Sequence, residues 1–589
     1  MVLFKEQLKK RIAGILKEQA RKKGIDPETV REEDFVVENP PKPELGDLAI
    51  PLFPFAKVFR MPPPALATLV RESLQEGSSL PQGVERYSVV GPYLNIFLDK
   101  TLVTSLLFQQ VDQEGDRFGS NGILTNKRIM VEFSSPNTNK PLHLGHLRND
   151  ALGESVSRIL RWSGATVHTV DLINDRGIHI CKSMLAYKEL GQGKTPEEEG
   201  LKSDHFVGKY YVLYNQMAKR DPEAEDRARA MLVKWEQGDP EVRTLWEKMN
   251  RWAIEGIKRT YERTGIHFDQ FYFESEVYLK GKEEVLKGLD KGIFYREADG
   301  SVWVNLEDIG LDRKVLLRSD GTSLYVTQDI GTAIARYNDW PFDTMIYVVA
   351  SEQNYHFKVL FSILDRLGYP WAKNLYHLSY GMVNLPEGKM KSREGTVVDA
   401  DDLLDELAEM AKEEIRGKER EEEVGNIEET AEKIALGALH YYLLQPSPSK
   451  DIVFNPKESL SFTGNTGPYI QYTGARICSM MRKLERLPSV KEREGESTFL
   501  KTGEEWELVK LLSDFPSVVE LSATTYNPSL VANYLYDVSK TFSRYYHEHP
   551  ILYAEDPAVA ASRVRLSRCV LQVLKNGMYL LNIPFLEVM

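Results

Sequence analysis

Arg128-Ile129-Met130-Val131-Glu132-Phe133-Ser134-Ser135-Pro136-Asn137-Thr138-Asn139-Lys140-Pro141-Leu142-His143-Leu144-Gly145-His146 opens the stretch 128–162, around which the rest of the chain is organised. Arg128 to Phe133 is mostly apolar and β-prone, so it reads as a strand. Ser134 to Asn137 is a run of turn formers. From His146 to Trp162 the apolar residues Leu147, Ala151, Leu152, Val156, Ile159 and Leu160 recur at helical spacing. The order is therefore strand, polar loop, His-Leu-Gly-His, helix. A helix N-terminus placed after a parallel strand offers free N–H groups and the positive end of a dipole, which suits phosphate. Gly145 leaves room for a flat ring to approach the backbone, and His143 and His146 can donate to phosphoryl oxygens as charge develops. Taken alone, two such histidines are ordinary loop or cap residues. His-x-x-His is also zinc-ligand spacing, but His179 and Cys181 stand isolated and there is no Cys-x-x-Cys, so no metal site is expected.

At 589 residues the chain is too long for one core, and three or four domains are expected. No apolar run approaches the length of a membrane span. Cys181, Cys478 and Cys569 do not make a disulfide framework, which fits a reducing compartment. The net charge of −12 argues against wholesale attraction to nucleic acid while leaving room for local basic patches. Residues 1–23 are basic and amphipathic, but Glu6 and Glu18 interrupt them and hydroxyl residues are absent. A surface helix is expected there rather than a transit peptide, and a cytoplasmic location.

Residues 1–125 read as a small α/β unit: a helix from Phe4 to Lys22, then Pro-rich extended chain, with Glu44 to Ala49 expected to turn into a helix. Tyr87 to Leu98 reads as two strand pieces about Gly91-Pro92, with Tyr93, Asn95 and Phe97 on one face. An aromatic beside an amide suits an unpaired base, and suits an ordinary sheet surface equally. Residues 126–400 form a nucleotide-binding α/β domain. Its second strand, Ala165 to Ile173, ends in polar Asn174-Asp175-Arg176-Gly177, where such sheets open their ligand crevice. Residues 185–290 are helical and charged and read as an insertion between two halves. Beyond it, Tyr325 and Asp329 share a helix face if that helix begins early, and Ala350 to Gln353 follow the apolar strand Ile346 to Val349. Lys389-Met390-Lys391-Ser392-Arg393 sits in a glycine-bounded basic loop that can bring cations over a triphosphate. Residues 401–589 are almost wholly helical. In the last helix Leu566, Val570, Val573 and Gly577 share a face opposite a basic stripe of Arg565, Arg568 and Lys575, a candidate RNA surface or a solvated one.

Together these stretches resemble the class I aminoacyl-tRNA synthetases, and among them the arginyl-tRNA synthetase family. His143-Leu144-Gly145-His146 is similar to the class I signature, and Lys389 to Arg393 lies where the family's mobile loop belongs. Val131 to Asn137, and Gly464-Asn465-Thr466-Gly467-Pro468-Tyr469-Ile470-Gln471-Tyr472, resemble stretches typical of the arginine enzymes. The resemblance covers nearly the whole chain. It implies an N-terminal domain (1–125) touching the tRNA elbow, a Rossmann-like catalytic domain (126–400) with its helical insertion, and a helical anticodon-binding bundle (401–589). It implies the ligation of L-arginine to tRNA(Arg) through an arginyl-adenylate made from ATP, with Mg2+ accompanying the ATP, no tightly held protein-ligated metal, no membrane partner, and a monomer. It also suggests that arginine activation requires bound tRNA, and no editing domain is evident.

The resemblance further assigns roles. Glu132, Ser135, Asn137, His146, Tyr325, Asp329 and Gln353 would bind arginine, with the Glu132/Asp329 acid pair taking the forked guanidinium. His143, Gly145, His146 and Met382 would bind ATP. Tyr469, Tyr472, Tyr546 (in preference to Tyr545) and Met589 would meet the anticodon, and Tyr93 and Asn95 the elbow. One departure matters: Ser392 stands where the mobile loop carries its second lysine. Lys391 and Arg393 flank it and, with Lys140, are the candidates to supply the missing charge, Lys140 with Arg393 being preferred. Two other functions compete. A small-molecule nucleotidyltransferase of the same superfamily would not need residues 401–589. A catalytically inactive tRNA-binding paralogue would be expected to lack His143, His146 or the acid pair, all of which are present.

Overall fold

The computed structural model describes residues 2–76, 80–384, 386, 398–417, 421–491 and 499–589. Two units are distinguished, one of residues 1–119, 476–518 and 537–576, the other of residues 120–475, 519–536 and 577–589.

In the first unit, helix Val2–Lys22 buries Leu8, Ile12, Leu16 and Ala20, one residue per turn. Strands β1 (Leu48–Pro51), β2 (Val84–Val90) and β3 (Tyr93–Leu98) form an antiparallel sheet in the order β1-β3-β2. The helix expected after Glu44 is instead a short 3-10 turn, Pro43–Leu45, that feeds β1. Gly46 takes φ 114°, and the Asp47 carboxylate accepts from the Leu98 N–H (3.0 Å) and the Trp506 indole N–H (2.6 Å), which ties the segment to a strand edge. Tertiary hydrogen bonds thus override a helix-like sequence. The basic stripe of the last helix is also altered, because the Arg565 guanidinium is spent on Asp112 (2.5 Å).

The second unit is built on a parallel sheet. Its strands are β4 (Arg128–Glu132), β5 (Thr166–Ile173) and β6 (Gln270–Phe273). A small antiparallel sheet of β7 (Tyr295–Arg296), β8 (Val302–Val304) and β9 (Lys314–Leu317) follows. The chain then returns to the main sheet as β10 (Thr344–Ala350) and β11 (Leu375–Tyr380). The five-stranded order is β11-β10-β4-β5-β6, with every pair parallel. The chain runs outward from β4 to β6, then re-enters on the other side of β4, so the winding reverses between β4 and β10. Ligands of open α/β sheets bind at such a point, beyond the carboxyl ends of the strands. β6 lies within the stretch read as a helical insertion. Gln-Phe-Tyr-Phe is short, and its edge position leaves it half-buried and without the apolar run of a central strand. A two-stranded pairing of β12 (Val383–Asn384) with β13 (Ile452–Val453) joins the end of this region to the following helices.

The signature helix Leu144–Trp162 packs closely under the sheet. A Cβ on Gly153 would lie 2.1 Å from Cγ of Phe133, so only glycine lets the helix approach the end of β4.

Candidate active site

A cavity of about 800 Å3 opens at the reversal point. Its lining comes from the end of β4 and the chain after it (Glu132, Ser134, Ser135, Lys140), the signature helix and its cap (His143, Gly145, His146, Asn149), helix Tyr325–Asp339 (Tyr325, Asp329), the end of β10 and the turn after it (Ala350, Glu352, Gln353) and the Met382–Asn384 segment. Of the predicted arginine and ATP residues, all but Asn137 line it. Asn137 is exposed, its backbone bridged to Asn174. Lys391 and Arg393 lie outside the described residues.

His143 caps the signature helix. Its Nδ1 accepts from the Gly145 N–H (3.0 Å), and Nδ1 of His146 accepts from the His143 N–H (3.2 Å). With both Nδ1 atoms accepting, each neutral ring carries its proton on Nε2. Burial, and then the neighbouring Lys140 charge, lower His143 to about 4, and burial and the His143 ring push His146 well below the ordinary range. Both are neutral Nε2–H donors at pH 7. The imidazole of His143 fills the space that a Cβ on Gly145 would need (2.9 Å), so the glycine first serves the packing of this ring.

Lys140 is half-buried in the cavity wall, and burial lowers its pKa. No carboxylate among the described residues pairs with it. Arg148, one turn further along the helix, is fully buried and donates to the carbonyls of Gly381 (2.6 Å), Met382 (3.2 Å), Pro448 (3.1 Å) and Lys450 (2.7 Å). It holds the Met382 wall against the helix.

The acid pair is less symmetric than the sequence suggests. Glu132 is buried and ion-paired with Arg336 of helix Tyr325–Asp339. Asp329 lines the same cavity; burial raises the Glu132 pKa, Arg336 offsets that, and Asp329 raises it again. Asp329 is 34% exposed and its carboxylate accepts from Nε2–H of His356 at 2.6 Å. Arg336 and His356 were not foreseen; nothing in their spacing distinguishes them from other helix residues.

Ser134 and Ser135 both adopt left-handed backbone, φ 71° and 53°. For residues with a side chain this costs roughly 1–3 kcal/mol each, and such strain collects at functional sites. Asn149 accepts from the Ser134 N–H (2.6 Å), and Asn174 donates to the Ser135 carbonyl (2.9 Å). Asp171 accepts from the Ser135 N–H (2.8 Å) and from Tyr261 (2.9 Å). Burial lifts Asp171 to about 7. The Ser135 hydroxyl, buried in the wall, has no hydrogen-bond partner among the described residues.

The residues expected at RNA are placed unevenly. Tyr93 is half-buried beside Phe53 (6.5 Å between rings), but Asn95 is only 3% exposed, covered because β3 is the central strand of its sheet. Tyr469 and Tyr472 are half-buried on helix Gly467–Leu484. Tyr546 is half-buried with the Arg476 guanidinium 5.3 Å from its ring, whereas Tyr545 is fully buried. Met589 is buried.

Three family profiles match successive parts of the chain. They are the arginyl tRNA synthetase N terminal domain over residues 5–98, tRNA synthetases class I (R), catalytic domain over 105–455, and the DALR anticodon binding domain over 470–589. The chain belongs to the arginyl-tRNA synthetases. It is 57% identical to an arginine–tRNA ligase of Treponema denticola, covering 96% of this chain and 97% of that relative. It is 46% identical to one of Borrelia hermsii over 100% and 99% of the two chains. Among solved structures, arginyl-tRNA synthetase of Thermus thermophilus matches with a TM-score of 0.79 at 27% identity, over 99% of each chain. The class I arrangement of the chain is thus carried by a parallel sheet, an N-terminal domain and a helical C-terminal part.

Proposed function

We propose that this protein joins L-arginine to tRNA in two steps. The arginine carboxylate oxygen attacks the α-phosphorus of ATP; that O–P bond forms as the bond to pyrophosphate breaks, giving arginyl-adenylate. A ribose hydroxyl of the terminal adenosine of tRNA then attacks the arginyl carbonyl, and AMP leaves. The observation that carries the reading is a single cavity joining Lys140, with no anionic partner among the described residues, and two neutral Nε2–H donors to an open carboxylate, Asp329.

His143 and His146 donate to phosphoryl oxygens as negative charge grows, and their neutrality removes any need to lose a proton first. Lys140 faces the triphosphate, which arrives with its Mg2+ as substrate. Met382 and the Gly145 backbone border the adenine. Asp329 and Tyr325 take the guanidinium, and Glu132, already balanced by Arg336, adds an acceptor rather than a full charge. Ser135 and Gln353 hold the α-amino and carboxylate end. Residues 1–125 meet the tRNA elbow and residues 401–589 the anticodon, through Tyr93, Tyr469, Tyr472 and Tyr546. We read the enzyme as a cytoplasmic monomer; no described helix is long and apolar enough to cross a membrane.

The test is ATP–pyrophosphate exchange with each amino acid, with and without total tRNA. Exchange with arginine alone supports the reading, and its dependence on tRNA tests whether activation requires the nucleic acid. Exchange with another amino acid would overturn the Asp329 assignment. In the same assay Lys140→Ala is expected to slow adenylation at least tenfold, roughly 1.4 kcal/mol. A change within about threefold would remove Lys140 from the triphosphate, since it falls below that energy.

A further inference from the structure

We propose that Tyr261, on the long insertion helix Pro240–Thr264, is a positioning residue for arginine activation, acting with Asp171 through the strained Ser134–Ser135 turn. This deepens the reading above and rests on its assignment of Ser135 to the amino acid.

The argument is one of saturation. Around the turn, the Ser134 N–H is taken by Asn149, the Ser134 hydroxyl by the Tyr261 hydroxyl (2.7 Å), the Ser135 N–H by Asp171 and the Ser135 carbonyl by Asn174. The hydroxyl of Tyr261 also reaches Asp171 (2.9 Å), so one oxygen ties both serines to β5. The four supports come from three places in the chain: the signature helix, β5 with the residue after it, and the insertion. Beside them the Ser135 hydroxyl is buried in the cavity wall with no partner among the described residues. A turn whose two N–H groups, Ser134 hydroxyl and Ser135 carbonyl are held, in a backbone conformation that serine disfavours, fixes the direction of the Ser135 hydroxyl. Tyr261 is itself fixed: its ring is buried and packs edge-on to Phe268 (5.1 Å), which lies tilted against Phe133 (4.5 Å) just after β4. The insertion therefore contributes to the active site through a hydroxyl that touches no substrate.

The test is steady-state pyrophosphate exchange, in the presence of tRNA, for Tyr261→Phe, Ser135→Ala and the double variant, with thermal unfolding and tRNA affinity measured on each. Tyr261→Phe keeps the ring and removes the oxygen. It is expected to raise KM for arginine about tenfold, the order of one lost hydrogen bond, with KM for ATP and the tRNA Kd within about twofold of the parent. Ser135→Ala should do the same, and the double variant should be little worse than either, because both changes remove one function. If Tyr261→Phe lowers the melting temperature but leaves KM for arginine unchanged while Ser135→Ala raises it, Tyr261 is only structural and the proposal fails. Additive losses in the double variant overturn it also. If Ser135→Ala has no effect, the assignment of Ser135 fails and takes the proposal with it. Should Tyr261→Phe not fold, Asp171→Asn, which keeps an acceptor for the Ser135 N–H, gives the same comparison.

Discussion

Two carboxylates that look alike in the sequence have separate duties. Glu132 is buried against Arg336 and compensates it; Asp329 is partly exposed and, among the described residues, pairs with His356. Removing one partner of a buried ion pair strands the other, at a cost of about 3–5 kcal/mol. Glu132→Gln is therefore expected to lower stability by that order, and Asp329→Asn to leave stability nearly unchanged while raising KM for arginine. Denaturant unfolding alongside exchange kinetics separates the two, and equal destabilisation by both would refute the division. The histidines give a prediction in pH. His143 falls from an ordinary 6.5 to about 4 on folding, so its neutral form is fully populated above 6.5 and persists down to about 4. Between those values the unfolded chain binds a proton that the folded one refuses, and stability declines as pH falls. The free enzyme's kcat/KM for ATP should accordingly have no inflection near 6.5 that His143→Asn abolishes. His143, His146, Tyr325 and Asp329 were legible because they stand near helix starts at telling spacing. Arg336, Asp171 and Tyr261 were not, because their partners lie tens to hundreds of residues away and a buried charge leaves no local periodicity.

At the scale of elements, the strand, loop and helix of residues 128–162 came directly from apolar spacing. β6 and β11 did not, since short edge strands lack both the run and the alternation that mark a strand. The insertion is also bound more tightly than a charged, solvated appendage. His205 on helix Ser203–Ala218 lies 3.3 Å from both Asp399 and Asp401, and Lys202 lies 2.7 Å from Asp401. Asp399 caps helix Ala400–Gly417 through the N–H groups of Asp401 (2.9 Å) and Asp402 (3.1 Å), and its backbone is bridged to His143. The insertion thus grips the chain where it meets the signature. The Asp399 and Asp401 carboxylates beside it raise His205 to about 10. Because the folded value lies above 6.5, this stabilisation is fully present below 6.5 and is lost as pH rises through about 10. His205→Asn should cost about 1 kcal/mol in urea unfolding at pH 7, the scale of a partly exposed ion pair. The gap should close toward pH 10; a gap independent of pH would mean the ring acts by packing alone.

For the whole molecule, the surplus of acid sets how RNA is held. With a net charge of −12, long-range attraction to a polyanion is unfavourable overall, so affinity has to come from local contacts. Tyr93 and Tyr472 belong to different units, and our reading gives them to the elbow and the anticodon of one tRNA. Stacking of a base on an aromatic ring contributes about 1–3 kcal/mol. Each single change to alanine should therefore weaken tRNA binding by that order. If the two residues meet separate parts of the RNA, their losses should add to within about 0.5 kcal/mol. A filter-binding or titration measurement on both single variants and the double variant decides it. A double variant no weaker than one of the singles would mean that the two tyrosines serve a common contact, and the assignment of residues 1–125 to the elbow would fall. Full additivity with KM for arginine unchanged at saturating tRNA would place both tyrosines in docking and neither in the chemistry.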